Sequence, residues 1–267
     1  MRAEHRPLLL AVDVGNTNTV FGLFDGRELC AQWRITTHRE RTADEYAATL
    51  FQLLALKGLP AERVGAAIVA SVVPQAGPPL RRMCQTYFGF EGQIVGEDVD
   101  YGIEIRTDNP AEVGADRLVN AVAAHRRYPG TALIVLDFGT ATTFDVVAED
   151  GAYCGGVIAP GINLSLEALH RAAAKLPRVA VARPQAVIGR NTVAAMQSGI
   201  FWGYVGLIEG IVDRLRAEFE RPMTTVATGG LAHLFGGATA AIDRVDPDLT
   251  MAGLIEIYRQ RNPSSDV

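Results

Sequence analysis

Two short runs in this chain carry the residue types that phosphate chemistry requires, and they are built alike. Asp13-Val14-Gly15-Asn16-Thr17-Asn18-Thr19 follows the apolar residues 8–12, and Asp137-Phe138-Gly139-Thr140-Ala141-Thr142-Thr143 follows the apolar residues 133–136. In each run the glycine lets backbone approach a ligand closely. The Asn and Thr groups and the local N–H groups supply donors for phosphate oxygens, and the Asp can hold a cation or its water. Asp-x-Gly and Asn-Thr also occur in ordinary turns, where Gly supplies positive φ and Asp or Asn bonds its own backbone. Repetition favours the functional reading, because one spacing of 124 residues relates Asp13 to Asp137, Gly15 to Gly139 and Thr19 to Thr143. Two such tips facing each other would clamp a nucleoside triphosphate.

Each tip needs strands to hold it. Apolar stretches follow at 20–24 and 144–147, so each copy reads as a β-hairpin with a polar tip. Residues 28–36 alternate as a third strand, and 42–57 have helical periodicity ended by Gly58 and Pro60. A strand over 64–73 closes at Pro74, and 79–88 form a helix with Arg81 and Arg82 facing solvent, giving a first lobe of order β-β-β-α-β-α. Residues 95–109 are polar and irregular, with strand-like alternation over 101–105. Asn109-Pro110-Ala111-Glu112 then reads as a capped helix start, with Asn109 as cap and Glu112 reaching back to it, and the helix runs to His125. After the second hairpin, a strand over 151–158 and a helix over 164–174 repeat the first lobe's order. Asn191 opens the longest helix, which Pro222 stops after Glu220. Its Gly199, Gly203, Gly206 and Gly210 are costly in an isolated helix and fall largely on one face, which predicts close packing within the lobe or across a dimer. A strand over 224–228 feeds Gly229-Gly230, a junction at which adenine or ribose can lie against backbone, and then a helix from Leu231 to Phe235.

Composition fits an α/β enzyme of two related lobes, expected at 1–126 and 127–267. Of the 267 residues 48% are hydrophobic, 21% are charged and 27 are glycine, a balance that fits a compact α/β enzyme better than a disordered or coiled-coil protein. A net charge of -5 argues against nucleic acid as a partner, which would need a basic face. No apolar run is long enough to span a membrane, and the residues before Leu8 lack a signal segment. Cys30, Cys84 and Cys154 have no C-x-x-C spacing and read as isolated thiols of a reducing cytoplasm. The five histidines show no metal-ligand spacing, and Lys175 reads as a helix-end cation.

The order hairpin, hairpin, strand-Gly-Gly-helix resembles the acetate and sugar kinase, Hsp70 and actin superfamily. A closer resemblance is carried by Asn109-Pro110-x-Glu112-Val113-Gly114-Ala115-Asp116-Arg117, the Asp137 to Thr143 run, Gly155-Gly156-x-Ile158-x-Pro160-Gly161, Ala174-Lys175-Leu176-Pro177 and Asn191-Thr192-x-x-Ala195-Met196-Gln197-Ser198-Gly199. In their order and spacing these are similar to type III pantothenate kinase, over about residues 8–258. The resemblance implies two actin-like (ribonuclease H-like) lobes with a nucleotide cleft between them, and ATP-dependent phosphorylation of pantothenate as the first step of coenzyme A synthesis. Carried over by position, Asp13, Val14, Gly15, Asn16, Thr17, Asn18, Thr19 and Val20 would bind ATP phosphates, with Asp13 near Mg²⁺ and Thr140 a second ATP contact. Gly114, Ala115, Asp116, Arg117 and Thr192 would contact pantothenate, Asp116 would be the general base, and Asp137 would hold a monovalent cation, K⁺ or NH₄⁺. The partners implied are pantothenate, ATP and a second copy of the chain, in the cytoplasm. Family members often carry a Tyr seven residues before the Gly of Gly-Ala-Asp-Arg, where this chain has Thr107.

The residues suit that chemistry. Phosphoryl transfer depends on positioning and charge neutralisation, a carboxylate can orient an alcohol and take its proton, and Arg117 can hold a carboxylate through a bidentate pair. An isolated Asp-Arg pair on a helix is ordinarily just solvated charge; its place in the longer match favours the site. Two other classes share these motifs: a nucleotide-binding regulatory protein without turnover, and a phosphohydrolase in which water replaces the alcohol. Asp13, Asp116 and Asp137 together favour the kinase.

Overall fold

The computed structural model describes residues 6–173 and 176–263, so Ala174, where the helix over 164–174 was expected to end, and Lys175 lie outside the described residues. The described chain forms two compact units. One comprises 6–102, 111–123 and 250–263, and the other 103–110 and 124–249.

In the first unit come strands β1 (Leu8–Val14), β2 (Asn18–Asp25) and β3 (Glu28–Thr36), helix α1 (Ala43–Leu56), strand β4 (Val64–Ser71), helix α2 (Gly77–Met83) and the short strand β5 (Gln93–Ile94). Helix α3 (Ala115–Arg127) begins in this unit and ends in the other. The second unit continues with β6 (Ala132–Phe138), β7 (Ala141–Val147), β8 (Tyr153–Pro160), α4 (Ile162–Ala172), α5 (Thr192–Phe219), β9 (Met223–Gly229), the single turn α6 (Ala232–Phe235) and β10 (Arg244–Val245). Helix α7 (Leu249–Arg261) returns the chain to the first unit.

The two sheets have the same order, β3-β2-β1-β4-β5 and β8-β7-β6-β9-β10. In each, three antiparallel strands are followed by two parallel to the first. The central strands are covered on both faces and read as continuous apolar runs: residues 8–12 of β1 and 132–136 of β6 are at most 1% exposed. The edge strand β3 alternates instead, as its sequence predicts.

Helix α1 starts with a capping box. The Glu45 N–H donates to Thr42 Oγ1 (3.3 Å) and the Thr42 N–H donates to Glu45 Oε2 (2.8 Å), an arrangement that stabilises a helix by about 1 kcal/mol. Its Tyr46, Ala47, Leu50 and Leu54 face a core with Leu10, Val12, Phe21 and Leu80. In the second unit Phe138, Phe201 and Phe235 stack at 5.1 and 5.2 Å in a core shared with Ile134, Leu136 and Ile208. As predicted, Asn191 caps α5, its Oδ1 accepting from the Ala194 N–H at 2.9 Å.

Several expectations need correction. The capped start at Asn109 is only a single 3₁₀ turn, Pro110–Glu112, and α3 opens at Ala115. The Gly114 carbonyl accepts from the Arg117 and Leu118 N–H groups (3.1 and 3.3 Å), while Asp116 Oδ1 accepts from the Arg117 N–H (2.8 Å), so the terminus is satisfied at Gly114 and not at Asn109. Arg81, expected to face solvent, does so partly and forms surface ion pairs with Asp98 at 2.7 Å and Glu97 at 3.3 Å. The two tips also differ by a residue. Val14 faces Thr19 but Phe138 faces Thr142, so past the tips Thr19 corresponds to Thr142, not Thr143, and Phe21 to Phe144.

Candidate functional site

In the first unit the site residues stand where the parallel strands β1 and β4 end, the place at which ligands bind in open α/β sheets. Asp13 is half-buried at the end of β1, paired with Val20 on β2 and Ala70 on β4. Asn16, Thr17 and Asn18 are exposed at the tip, whereas the side chains of Val14, Thr19 and Val20 are buried and form part of its foundation. The Gly15 N–H donates to the Asn18 carbonyl (3.0 Å) to close the turn.

Thr37, just past β3, secures this tip. Its N–H donates to the Thr17 carbonyl (3.0 Å), its hydroxyl donates to the Gly15 carbonyl (2.8 Å), and that hydroxyl also meets the Thr19 hydroxyl (2.9 Å). Sequence reasoning missed Thr37, whose only signal is a hydroxyl at the end of an alternating strand.

Asp116 belongs to the same unit. A Cβ on Gly114 would lie 2.7 Å from Asp116 Oδ1 and 3.6 Å from Val72 Cγ1, so the carboxylate curls back over the glycine beside Val72. The Val72 N–H in turn donates to the Val14 carbonyl at 3.0 Å. One residue beyond β4 therefore links the Gly-Ala-Asp-Arg turn to the first tip. Asp116 and Arg117 are half-buried and Ala115 is buried. Tyr101 faces this carboxylate: burial first, and then the charge of Asp116, push its phenol above the ordinary range.

In the second unit Asp137 ends β6, beside Thr228 and Gly229 of β9. Gly229 has φ +88°, and a Cβ there would collide with Asp137 Oδ1 and with the Phe138 backbone. The first glycine of the Gly-Gly junction thus lets the carboxylate sit against the neighbouring strand. The Gly155 to Gly161 motif serves a similar end. A Cβ on Gly156 would strike the Phe144 carbonyl, and one on Gly161 the Thr140 carbonyl, so β8 and the start of α4 close tightly on the second hairpin and its tip. Thr140 is exposed at that tip. Thr107 also belongs to this unit, with its methyl group near Gly155 and its buried hydroxyl without a hydrogen-bond partner among the described residues.

Thr192 is the first residue of α5 and lines a cavity of about 630 Å³ with Leu169, Leu176, Arg190, Met196 and Ile200. The glycine face of α5 packs against nothing in the described chain. A Cβ on Gly199, Gly203 or Gly206 would meet no atom within 4 Å, and one on Gly210 only the Arg214 side chain. Among the described residues no helix of the same lobe, one of the two partners the sequence left open, packs closely on this face.

Among the described residues no three His, Cys, Asp or Glu side chains gather to form a metal cage. Asp13 and Asp137 are each hard oxygen donors at a strand end, which suits a cation completed by phosphate oxygens, backbone carbonyls and water.

The family model for type III pantothenate kinase matches residues 9–214. The chain is 58% identical to the type III pantothenate kinase of Phenylobacterium zucineum (strain HLK1), over 95% of this chain and 98% of that protein. It is 60% identical to the type III pantothenate kinase of Paramagnetospirillum magneticum, over 96% and 98%. Among solved structures it resembles a protein from Campylobacter jejuni described as a Baf family transcriptional activator, with TM-score 0.61 and 19% identity over 95% of this chain and 98% of that one. It also resembles the activator of 2-hydroxyisocaproyl-CoA dehydratase from Clostridium difficile with bound ADPNP, with TM-score 0.53 and 14% identity over 96% of each chain. These structural likenesses establish the fold, the two-lobed actin-like ATPase architecture expected from the sequence.

Proposed function

The chain belongs to the type III pantothenate kinase family and phosphorylates pantothenate with ATP in the first step of coenzyme A synthesis, and from that premise we propose which of its residues carry the reaction. The near-full-length identity to kinases of this family carries the activity; the placement of Asp116 beside the strand ends that hold Asp13 supports the roles.

Asp116 is the general base. A carboxylate at the first turn of a helix, backed by Gly114 and Val72, is held in one orientation and accepts the proton of the primary alcohol as its oxygen bonds to phosphorus. Gly114 and Ala115 keep the backbone open there, and Arg117, next to the base, binds the carboxylate of pantothenate. Thr192 adds a polar contact from its mostly apolar cavity. At the first tip, backbone donors of 13–20 and the exposed Asn16, Thr17 and Asn18 bind phosphate oxygens, and Thr140 binds the nucleotide from the second tip. Asp13 would hold Mg²⁺ and Asp137 a K⁺ or NH₄⁺ ion, both supplying positive charge near the triphosphate. The chain acts as a homodimer, a reading supported by the open glycine face of α5. It works in the cytoplasm, as its free Cys30, Cys84 and Cys154 suggest. No described helix is long and apolar enough to cross a membrane.

The decisive experiment follows ADP formation by the purified protein with Mg-ATP, with and without pantothenate, in K⁺ and in Na⁺, beside Asp116→Asn. Turnover should require pantothenate and K⁺ and fall by about 100-fold or more in the variant. ADP release indifferent to pantothenate would indicate a hydrolase, and equal rates in K⁺ and Na⁺ would remove the role given to Asp137.

A further inference from the structure

Phosphoryl transfer gathers negative charge on phosphate oxygens, and enzymes of this kind commonly place a fixed cation there. Neither tip contains one, since 13–20 and 137–143 are without Lys or Arg. The first unit nevertheless holds a guanidinium beside the first tip, delivered by the segment that secures it. That segment begins at Thr37, bound to the tip through Gly15, Thr17 and Thr19. It turns where the Arg41 N–H donates to the His38 carbonyl (3.1 Å) and passes directly into the Thr42 capping box of α1. Arg41 is therefore held between two anchored points.

Its side chain is held as well. The guanidinium carbon lies 5.3 Å from the centroid of the Tyr46 ring, an Arg-aromatic contact that helps hold the group in place. Tyr46 is 1% exposed, and its hydroxyl lies near Thr19, whose own hydroxyl meets that of Thr37 at 2.9 Å. Arg41 Nη1 is buried and has no hydrogen-bond partner among the described residues. The nearby carboxylate, Glu45, feels the Arg41 charge, but its Oε2 accepts from the Thr42 N–H (2.8 Å) and hydroxyl (3.0 Å) and no hydrogen bond joins it to Arg41 among the described residues. A buried, unpaired guanidinium nitrogen costs stability unless a ligand completes it, and the ligand it fits is an anion with oxygen acceptors.

We propose that Arg41 is a phosphate-contacting residue of this kinase: held over Tyr46 beside Thr19, it donates to phosphate oxygens of the bound nucleotide and offsets the charge that builds during transfer. The inference rests on the nucleotide reading of the first tip. Arg41 forms no covalent bond. The alcohol oxygen bonds to the γ-phosphorus, the bond from that phosphorus to the bridging oxygen breaks with its electron pair leaving on ADP, and the alcohol proton passes to Asp116.

The test uses the full chain with Arg41→Gln and Arg41→Lys, and two readouts: calorimetric binding of Mg-ATP without pantothenate, and steady-state kinetics. The Gln variant should bind Mg-ATP at least about tenfold more weakly and lose about 100-fold or more in kcat/KM for ATP. Its KM for pantothenate should be unchanged and its melting temperature not lowered, and the Lys variant should recover part of the loss. Unchanged ATP binding and kcat/KM in the Gln variant overturns the proposal. So does a loss that is equal in both variants and tracks a lowered melting temperature. If the unaltered protein binds Mg-ATP but shows no pantothenate-dependent turnover, the kinase roles fail, and the binding comparison still decides Arg41.

Discussion

Asp13 and Asp137 occupy the same place in two copies of one sheet, yet their surroundings differ: Asp13 lies beside Ala70, and Asp137 beside Thr228 with Gly229 against its carboxylate. The shared strand order of the two sheets accounts for the common position, and the residues on the adjoining strands for the difference. Both aspartates were legible in the sequence because Asp-x-Gly after an apolar strand is a local pattern. Thr37, Arg41 and Val72 were not, since each acts through a contact with a segment distant in the chain. Burial also sets the chemistry of single residues. Cys84 is fully buried, which pushes its thiol up to about 12, while Cys30 is exposed. At pH 8 a thiol reagent should label Cys30 in the native protein and reach Cys84 only on unfolding. The sign of the pH effect follows: the unfolded thiol loses its proton from about 8.5 while the folded one keeps it to about 12. The unfolded state therefore binds fewer protons in that window and stability falls as pH rises. Cys84→Ala should flatten the alkaline slope of the denaturation midpoint; an unchanged slope would assign it to other groups.

Elements were readable where their pattern is one-sided and obscure where it is not. The hairpins, α1 and α5 announce themselves through alternation, caps and stops. Helix α7 had no expectation at all, because Met251, Leu254, Ile255, Ile257 and Tyr258 are buried around most of its girth and leave no polar stripe to reveal a period. The start of α3 was misplaced because Asn109-Pro110-x-Glu112 has the form of a cap, while the first N–H groups of the helix turn to the Gly114 carbonyl and Asp116 Oδ1. Helices α3 and α7 meet at Gly253, where a Cβ would collide with the Val119 carbonyl, and the Thr250 hydroxyl donates to Asn120 Oδ1 at 2.7 Å nearby. Gly253→Ala should therefore cost roughly 2 kcal/mol through overpacking, visible as an earlier denaturant midpoint with unchanged slope. An unshifted midpoint would mean that the two helices separate freely.

For the whole molecule, the sequence gives away the duplication and the fold class, but not the path of the chain between units. A break after 126 divides the motifs evenly, whereas the packing returns α7 to the first unit and places 103–110 with the second. Such long-range assignments depend on which surfaces bury each other, which a linear pattern does not encode. The assembly of two chains is testable at the same scale. A side chain at Gly203 meets nothing within its own chain, so Gly203→Glu should leave the melting temperature of a monomer intact while placing two like charges in a dimer contact. Light scattering should then show a wild-type dimer and a variant shifted to monomer at micromolar concentration; a variant dimer as tight as wild type would move the contact elsewhere.

The return of α7 also bears on how the protein is made. A ribosome releases the chain in order, so every strand of the second unit emerges before the helix that completes the first. Gly22 lies against Met251, Val119 against Gly253, and Arg27 pairs with Glu256 at 3.2 Å, so the first unit waits for contacts from a segment made after all the strands of the second. The unit begun before the other is thus completed after the other's strands are made, and in the interval the surface that α7 covers is open to chaperones and to misassociation.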